Sequence, residues 1–182
     1  MKVSREQVSE HKTRILQAAA ERFKERGFDN VTVAEVMKAA GLTHGAFYGH
    51  FPSKDALIAE AIAFAVTPAA NAAKPMLATT YADNYLSAKH RDNRSTGCAF
   101  AGLGTEAARG SPELRHAMSG SVEQQIQRFA DASPGKTAKE KRRAGIAAWS
   151  AMVGAVMLSR IVDDEDLSEE ILKETRAALP LA

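Results

Sequence analysis

The chain has 182 residues, of which 45% are hydrophobic and 25% charged, with a formal net charge of +2. That balance excludes global disorder and fits one globular domain, or a small domain joined to a larger one. A single cysteine, Cys98, excludes an internal disulfide, and the first twenty residues lack the apolar run of a signal peptide; no uncharged apolar stretch of about 18 residues reads as a membrane span, so the expected address is the cytoplasm.

The charge is unevenly spread. Residues 1–54 carry nine Lys/Arg against six Asp/Glu, giving +3, and the remainder carries 15 against 16, giving −1. A basic N-terminal end permits a polyanionic partner. The acidic run from Asp163 to Glu174 reads as a solvated loop and helix start.

Apolar residues recur at a period near 3.6 in every long segment, and no run alternates at period 2, so an all-α fold is expected. In the first helix Val8, Ile15, Leu16, Ala19 and Phe23 share a stripe that Gly27 closes. In "TVAE", Thr32 caps a second helix and Glu35 completes a capping box. Val33, Val36, Met37 and Ala40 form the apolar face of that helix. Gly41 then allows a left-handed turn, Leu42 plugs the core, and Thr43 begins another short helix through His50. Pro52 and Ser53 open a fourth helix containing Leu57, Ile58, Ala61, Ile62 and Phe64.

Further helices are expected near 76–88, 98–109, 112–131, 137–162 and 168–179, with Ser111-Pro112 as a start signal and "KHRDNRSTG" as a polar loop. The helix over 137–162 is apolar on two sides. Ile146, Trp149, Val153, Val156 and Ile161 form one face, and Ala147, Ala151, Gly154, Ala155 and Leu158 the other, so it needs two partners.

Two helices of about seven residues around "GLT", braced by a longer one, fit a helix-turn-helix whose second member enters the DNA major groove. Thr32 and Lys54 stand at helix N-termini, where amides and dipole favour phosphate. The Tyr48 hydroxyl can reach phosphate, while Phe47 and Phe51 point inward and anchor the short helix. The segment "GLTHGAFYGHFPSKDAL", preceded by "RGF" and "VTVAEV", resembles the DNA-binding domain of the tetracycline-repressor (TetR) family of transcription regulators, over about residues 10–58.

The resemblance implies a helix-turn-helix domain over 1–54 and a helical effector-binding and dimerisation domain over 55–182. The protein would be a homodimer on a palindromic double-stranded operator, most simply a repressor, released by a small effector. It further implies that Thr43, His44, Gly45, Ala46, Tyr48 and His50 face DNA, with Thr32 and Lys54 on phosphates. His50 has alternatives: packing against Tyr48, or capping the helix. Small residues at Ala46 and Gly49 leave few side chains to read bases, so DNA shape and half-site spacing are expected to carry much of the specificity.

For the effector, Phe64, Met76, Tyr81, Tyr85, Phe100, Leu103, Met118, Phe129, Trp149 and Met152 are candidate walls, with plain core packing as the alternative. No charge cluster marks an ionic ligand, and a mostly apolar effector is expected. Candidate dimer contacts are Ala147, Ala151, Gly154, Ala155, Leu158, Ile171, Leu172 and Thr175. Cys98, after Gly97 at a helix start, is either a redox or electrophile sensor, which would make the protein a thiol-sensing repressor, or a buried small residue. No catalytic constellation, metal-ligand spacing or cofactor motif is evident. "GLGTEA" lies within a helical pattern, and "GKT" at 135–137 lacks the glycine that a phosphate loop needs.

Overall fold

The computed structural model describes residues 4–66 and 78–179, and among these every regular element is a helix. Helix α1 spans Arg5–Arg26 and starts in a Ser4–Gln7 capping box. Its first turns run beyond the core, which leaves Val8 42% exposed instead of on the buried stripe, while Ile15, Ala19 and Phe23 are buried. Gly27 follows at φ 81°, and the chain turns into α2, Val33–Ala39, behind the Thr32–Glu35 capping box. Helix α2 ends in a Schellman closure: Leu42 N–H donates to Met37 O at 2.9 Å and Gly41 N–H to Lys38 O at 3.1 Å. Gly41 sits there at φ 69°, a left-handed conformation that suits glycine.

The next short element differs from the expected α-helix. His44–Gly49 is a 3-10 helix of six residues. It carries two glycines and is closed off by Pro52, so the tighter winding suffices and no long α ladder can form. Helix α3, Lys54–Val66, buries Leu57, Ile58, Ala61, Ile62 and Val66. Phe64 falls outside that set and is 37% exposed.

Helix α4, Ala78–Tyr85, is followed by α5, Ala88–Asp92, within the segment expected to be a polar loop. Ser87 caps α5 by accepting from His90 N–H at 3.2 Å. Then come α6 (Ala99–Ala108), α7 (Pro112–Asp131), α8 (Ala138–Ser159) and α9 (Glu165–Ala178). Gly145 lets α7 and α8 meet closely, since a Cβ there would lie 2.8 Å from both Ala130 Cα and the Phe129 carbonyl carbon.

Two hydrophobic clusters result. The first joins α1, α2, the 3-10 helix and α3 with Ala99, Leu103 and Ala107 of α6 and with Leu114 and Met118 of α7. The second gathers Tyr85, Phe129, Trp149, Met152, Val156 and Leu172 around α8. Among the described residues no helix is long and apolar enough to cross a membrane.

Candidate functional site

The 3-10 helix separates its aromatic residues by side. Phe47 and Phe51 are each 1% exposed and stack at 5.8 Å, whereas Tyr48, packed edge-on to Phe47 at 5.2 Å, is 71% exposed. Thr43, His44 and Gly45 are exposed as well, and the Thr43 hydroxyl makes no cap bond although it occupies the N-cap position. A Cβ at Gly45 or Gly49 would meet nothing within 4 Å, and neither residue has a positive φ. The fold therefore does not require glycine there; a small residue keeps that surface low. Ala46 is half-buried against the core.

Thr32 is more committed than the sequence reading implied. Its hydroxyl accepts from Glu35 N–H at 3.2 Å and donates to Glu35 Oε2 at 2.8 Å. Glu35 is held down to about 2 by the Thr32 backbone N–H, then the Thr32 hydroxyl, then the Arg26 guanidinium, which binds it through two nitrogens at 3.0 Å. Lys54 opens α3 and is half-buried. His50 sits at the C-cap of the 3-10 helix, its ring 6.2 Å from His11 and 6.4 Å from Phe51. Partial burial, then the charges of His11 and Lys12, lower its pKa. Sequence reasoning missed Arg14, whose guanidinium donates to Ala40 O and ties α1 to the C-terminus of α2.

A cavity of about 400 Å³ opens in the helical part, lined by Tyr81 and Tyr85 of α4, His90, Cys98, Phe100 of α6 and Trp149 of α8, among others. Four of the ten expected wall residues are there: Tyr81, Tyr85, Phe100 and Trp149. Phe64 turns outward; Leu103 and Met118 are consumed by the first cluster, and Phe129 and Met152 pack behind the wall. Met76 lies outside the described residues.

His90 was not foreseen because it sits in what reads as a loop. Its Nε2 accepts from Cys98 N–H at 3.0 Å, so the proton is on Nδ1, which donates to Tyr85 O at 2.7 Å. The neutral ring thus bridges the end of α4 to the start of α6. Its pKa is lowered, chiefly by burial. Gly97 is needed beside it: a Cβ would lie 2.8 Å from Asn93 O. Cys98, half-buried, is the N-cap of α6.

On α8, Ala147, Ala151 and Leu158 are exposed and Gly154 is half-buried with open space around it. Ile171 and Thr175 of α9 are half-buried. Ala155 and Leu172, expected on the same outer face, are 4% and 3% exposed and belong to the second cluster, so they cannot meet a partner without unpacking it.

A short helix braced by longer ones, with an exposed aromatic–polar face, is the arrangement of a helix-turn-helix. Residues 15–61 match the family profile described as "Bacterial regulatory proteins, tetR family". The HTH-type transcriptional regulator YdgC of Bacillus subtilis (strain 168) is 47% identical over 53 residues, 29% of this chain and 27% of YdgC. The HTH-type transcriptional repressor Rv1474c of Mycobacterium tuberculosis is 39% identical over 56 residues, 31% of this chain and 30% of that one. The match thus spans under a third of the length of these curated relatives. A TetR transcriptional regulator from Chloroflexus aurantiacus J-10-FL shares the fold over 97% of this chain and 100% of its own, with a TM-score of 0.73 and 20% identity. The family match thus extends over residues 15–61, and the solved TetR regulators add the fold of the whole chain.

Proposed function

We propose that this protein is a ligand-responsive repressor that binds a palindromic operator as a homodimer and leaves it when a small effector enters the helical part. The observation that carries the reading is the exposed side of the 3-10 helix, where Thr43, His44 and Gly45 flank a Tyr48 whose neighbours Phe47 and Phe51 are locked inside. Residues 1–54 would read DNA and residues 55–182 would hold the effector and the second subunit. Thr43 and His44 contact base edges, Gly45 and Ala46 allow close approach, and Tyr48, Lys54 and the Thr32 end of α2 hold phosphates. His50 abuts the backbone beside them. The stripe of exposed Ala147, Ala151 and Leu158 with half-buried Gly154, Ile171 and Thr175 supports a helical dimer face. The sign follows the simplest mechanism, occupancy of a promoter, and matches the name borne by Rv1474c. A cytoplasmic site of action accompanies it.

Footprinting of the purified protein on the DNA upstream of its own gene tests the reading. A short symmetric protected site supports it. No protection down to low salt overturns it.

A second reading, repression relieved by modification of Cys98, is favoured by one observation: Cys98 lines the cavity next to Tyr85. Alkylation of the purified protein with iodoacetamide, followed by operator binding, decides this; a Cys98→Ser protein that responds like wild type eliminates it.

A further inference from the structure

Tyr85 is 5% exposed, and among the described residues its hydroxyl oxygen has no hydrogen-bond partner. The Cys98 thiol lies against it, a weak partner at best. Buried polar groups in folded proteins are almost always paired, so an orphaned phenol on a cavity wall, its oxygen closed off in this arrangement, marks a place where something else bonds once the side chain turns toward the space. Burial, first of all, pushes the Tyr85 pKa far up, which keeps the group a neutral donor; Tyr81 beside it is pushed up to about 12 by the same cause.

The rest of the wall sets further limits. Tyr81 and Tyr85 are stacked at 5.7 Å, and Phe100 meets Trp149 edge to face at 5.0 Å, so aromatic faces are on offer beside the neutral polar side chains Asn84, Thr96 and Gln125. Among the described residues no Asp, Glu, Lys or Arg lines the space. Nearby cations are engaged elsewhere: Lys24 donates to Gly97 O, Arg160 to the His90 and Arg91 carbonyls, and Arg128 lies 5.7 Å from the centre of the Tyr81 ring. His90 has both ring nitrogens bonded to backbone and contributes no charge. The volume of about 400 Å³ lies within the ~300–1,000 Å³ of small-molecule sites.

We infer that the cavity takes a flat, uncharged aromatic compound carrying a carbonyl oxygen, which accepts a hydrogen bond from the Tyr85 hydroxyl while its ring packs against Tyr81, Phe100 and Trp149. This rests on the reading of the helical part as the effector-binding part and specifies its ligand.

The test uses the full chain, three probes of one shape and calorimetric titration: 2-acetylnaphthalene, 2-ethylnaphthalene and 2-naphthoate, against wild type and Tyr85→Phe. The ketone is expected to bind wild type about five- to tenfold tighter than the hydrocarbon. Tyr85→Phe erases that gap without weakening the hydrocarbon, and the carboxylate binds worst. The variant loses an unpaired hydroxyl, so its melting temperature stays at or above that of wild type. Equal binding of ketone and hydrocarbon, a gap that survives in Tyr85→Phe, tightest binding by the carboxylate, or no binding by any probe to folded protein each overturn the inference. Operator binding followed in parallel separates it from the functional reading. Ketone binding with the Tyr85 gap but no effect on DNA sinks effector release and leaves the ligand class standing.

Discussion

Phe47 and Tyr48 are neighbours in sequence and should fail in opposite ways. Phe47 is 1% exposed, in contact with Phe51 and Tyr48, and truncation to alanine removes a full ring from the first cluster. Phe→Ala in a core costs about 3–5 kcal/mol. At roughly 2–4 °C per kcal/mol for a chain of this size, Phe47→Ala should melt roughly 6–20 °C below wild type. Tyr48 is 71% exposed and gives up little beyond one edge contact, so Tyr48→Ala should cost under about 1 kcal/mol and leave the melt nearly in place. Against operator DNA the order reverses among folded proteins. A phenol donating to a phosphate is a hydrogen bond to a charged group, worth about 1.5–3 kcal/mol in each of the two subunits, so Tyr48→Phe alone should weaken operator binding by the dimer roughly 10²- to 10⁴-fold. Lys54→Ala, which removes one phosphate contact from each subunit of the dimer, should flatten the dependence of log K on log salt by about 1.8. Calorimetric melts and fluorescence anisotropy on the footprinted operator at several salt concentrations measure both quantities. Unchanged operator affinity in Tyr48→Phe at every salt would refute the phosphate role, and an unchanged melt in Phe47→Ala would refute the packing.

Three further outcomes follow from particular contacts. Gly145→Ala places a Cβ against the backbone of Phe129 and Ala130, which cannot rotate away; overpacking of about 1–3 kcal/mol should lower the melting temperature, while Gly154→Ala, whose Cβ meets nothing, should not destabilise the subunit. His90 has a folded pKa below its ordinary 6.5, so the unfolded chain takes up its proton first as pH falls; the stability it contributes is whole above about 6.5 and declines below it. Urea midpoints from pH 7.5 to 5 should fall more steeply for wild type than for His90→Gln, and parallel curves would remove His90 from the account. Glu106 accepts from Phe28 N–H at 2.7 Å; Glu106→Ala should speed hydrogen exchange of that amide by roughly tenfold, taking the bond at about 1.4 kcal/mol, and an unchanged rate would mean the bond is not held in solution.

The N-terminal elements are legible in sequence because their signals are local. Thr32 with Glu35, Gly41 after Ala40, and Ser53 ahead of α3 each act within four residues, and each stands where the pattern puts it. The winding of His44–Gly49 was less legible, since periodicity hardly distinguishes a 3-10 helix from an α-helix over six residues. The cavity was legible only by composition. Aromatic and Met side chains suit a wall and a core equally, and nothing local separates Tyr85, which faces the space, from Met152, which is buried behind it. The dimer stripe had the same difficulty at Ala155 and Leu172, whose period fits either side of a helix apolar on both. His90, Arg14, Glu106 and Arg160 act across 5 to 78 residues of chain, and no local pattern reveals such partners.

The arrangement of α6 gives a physical basis for communication between the cavity and the 3-10 helix proposed to read DNA. Its N-cap, Cys98, lines the cavity and is tied to His90. Its body lies on α1: Lys24 donates to Gly97 O at 3.1 Å, and a Cβ at Gly102 would reach Lys24 O at 3.5 Å. Its last turns hold the Gly27–Phe28 corner through Glu106. Helix α1 in turn carries α2 and the 3-10 helix through Ile15, Phe23 and Arg14. A shift of α6 therefore meets a continuous packed core instead of a loop that could absorb it, and close-packed interiors transmit strain. A ligand still does nothing unless it binds one arrangement better than the other, at about 1.4 kcal/mol of preference for each tenfold change in operator affinity. The same linkage works in reverse. Operator DNA must weaken ligand binding by the factor by which the ligand weakens operator binding, so calorimetry with and without DNA must return the ratio that anisotropy gives with and without ligand.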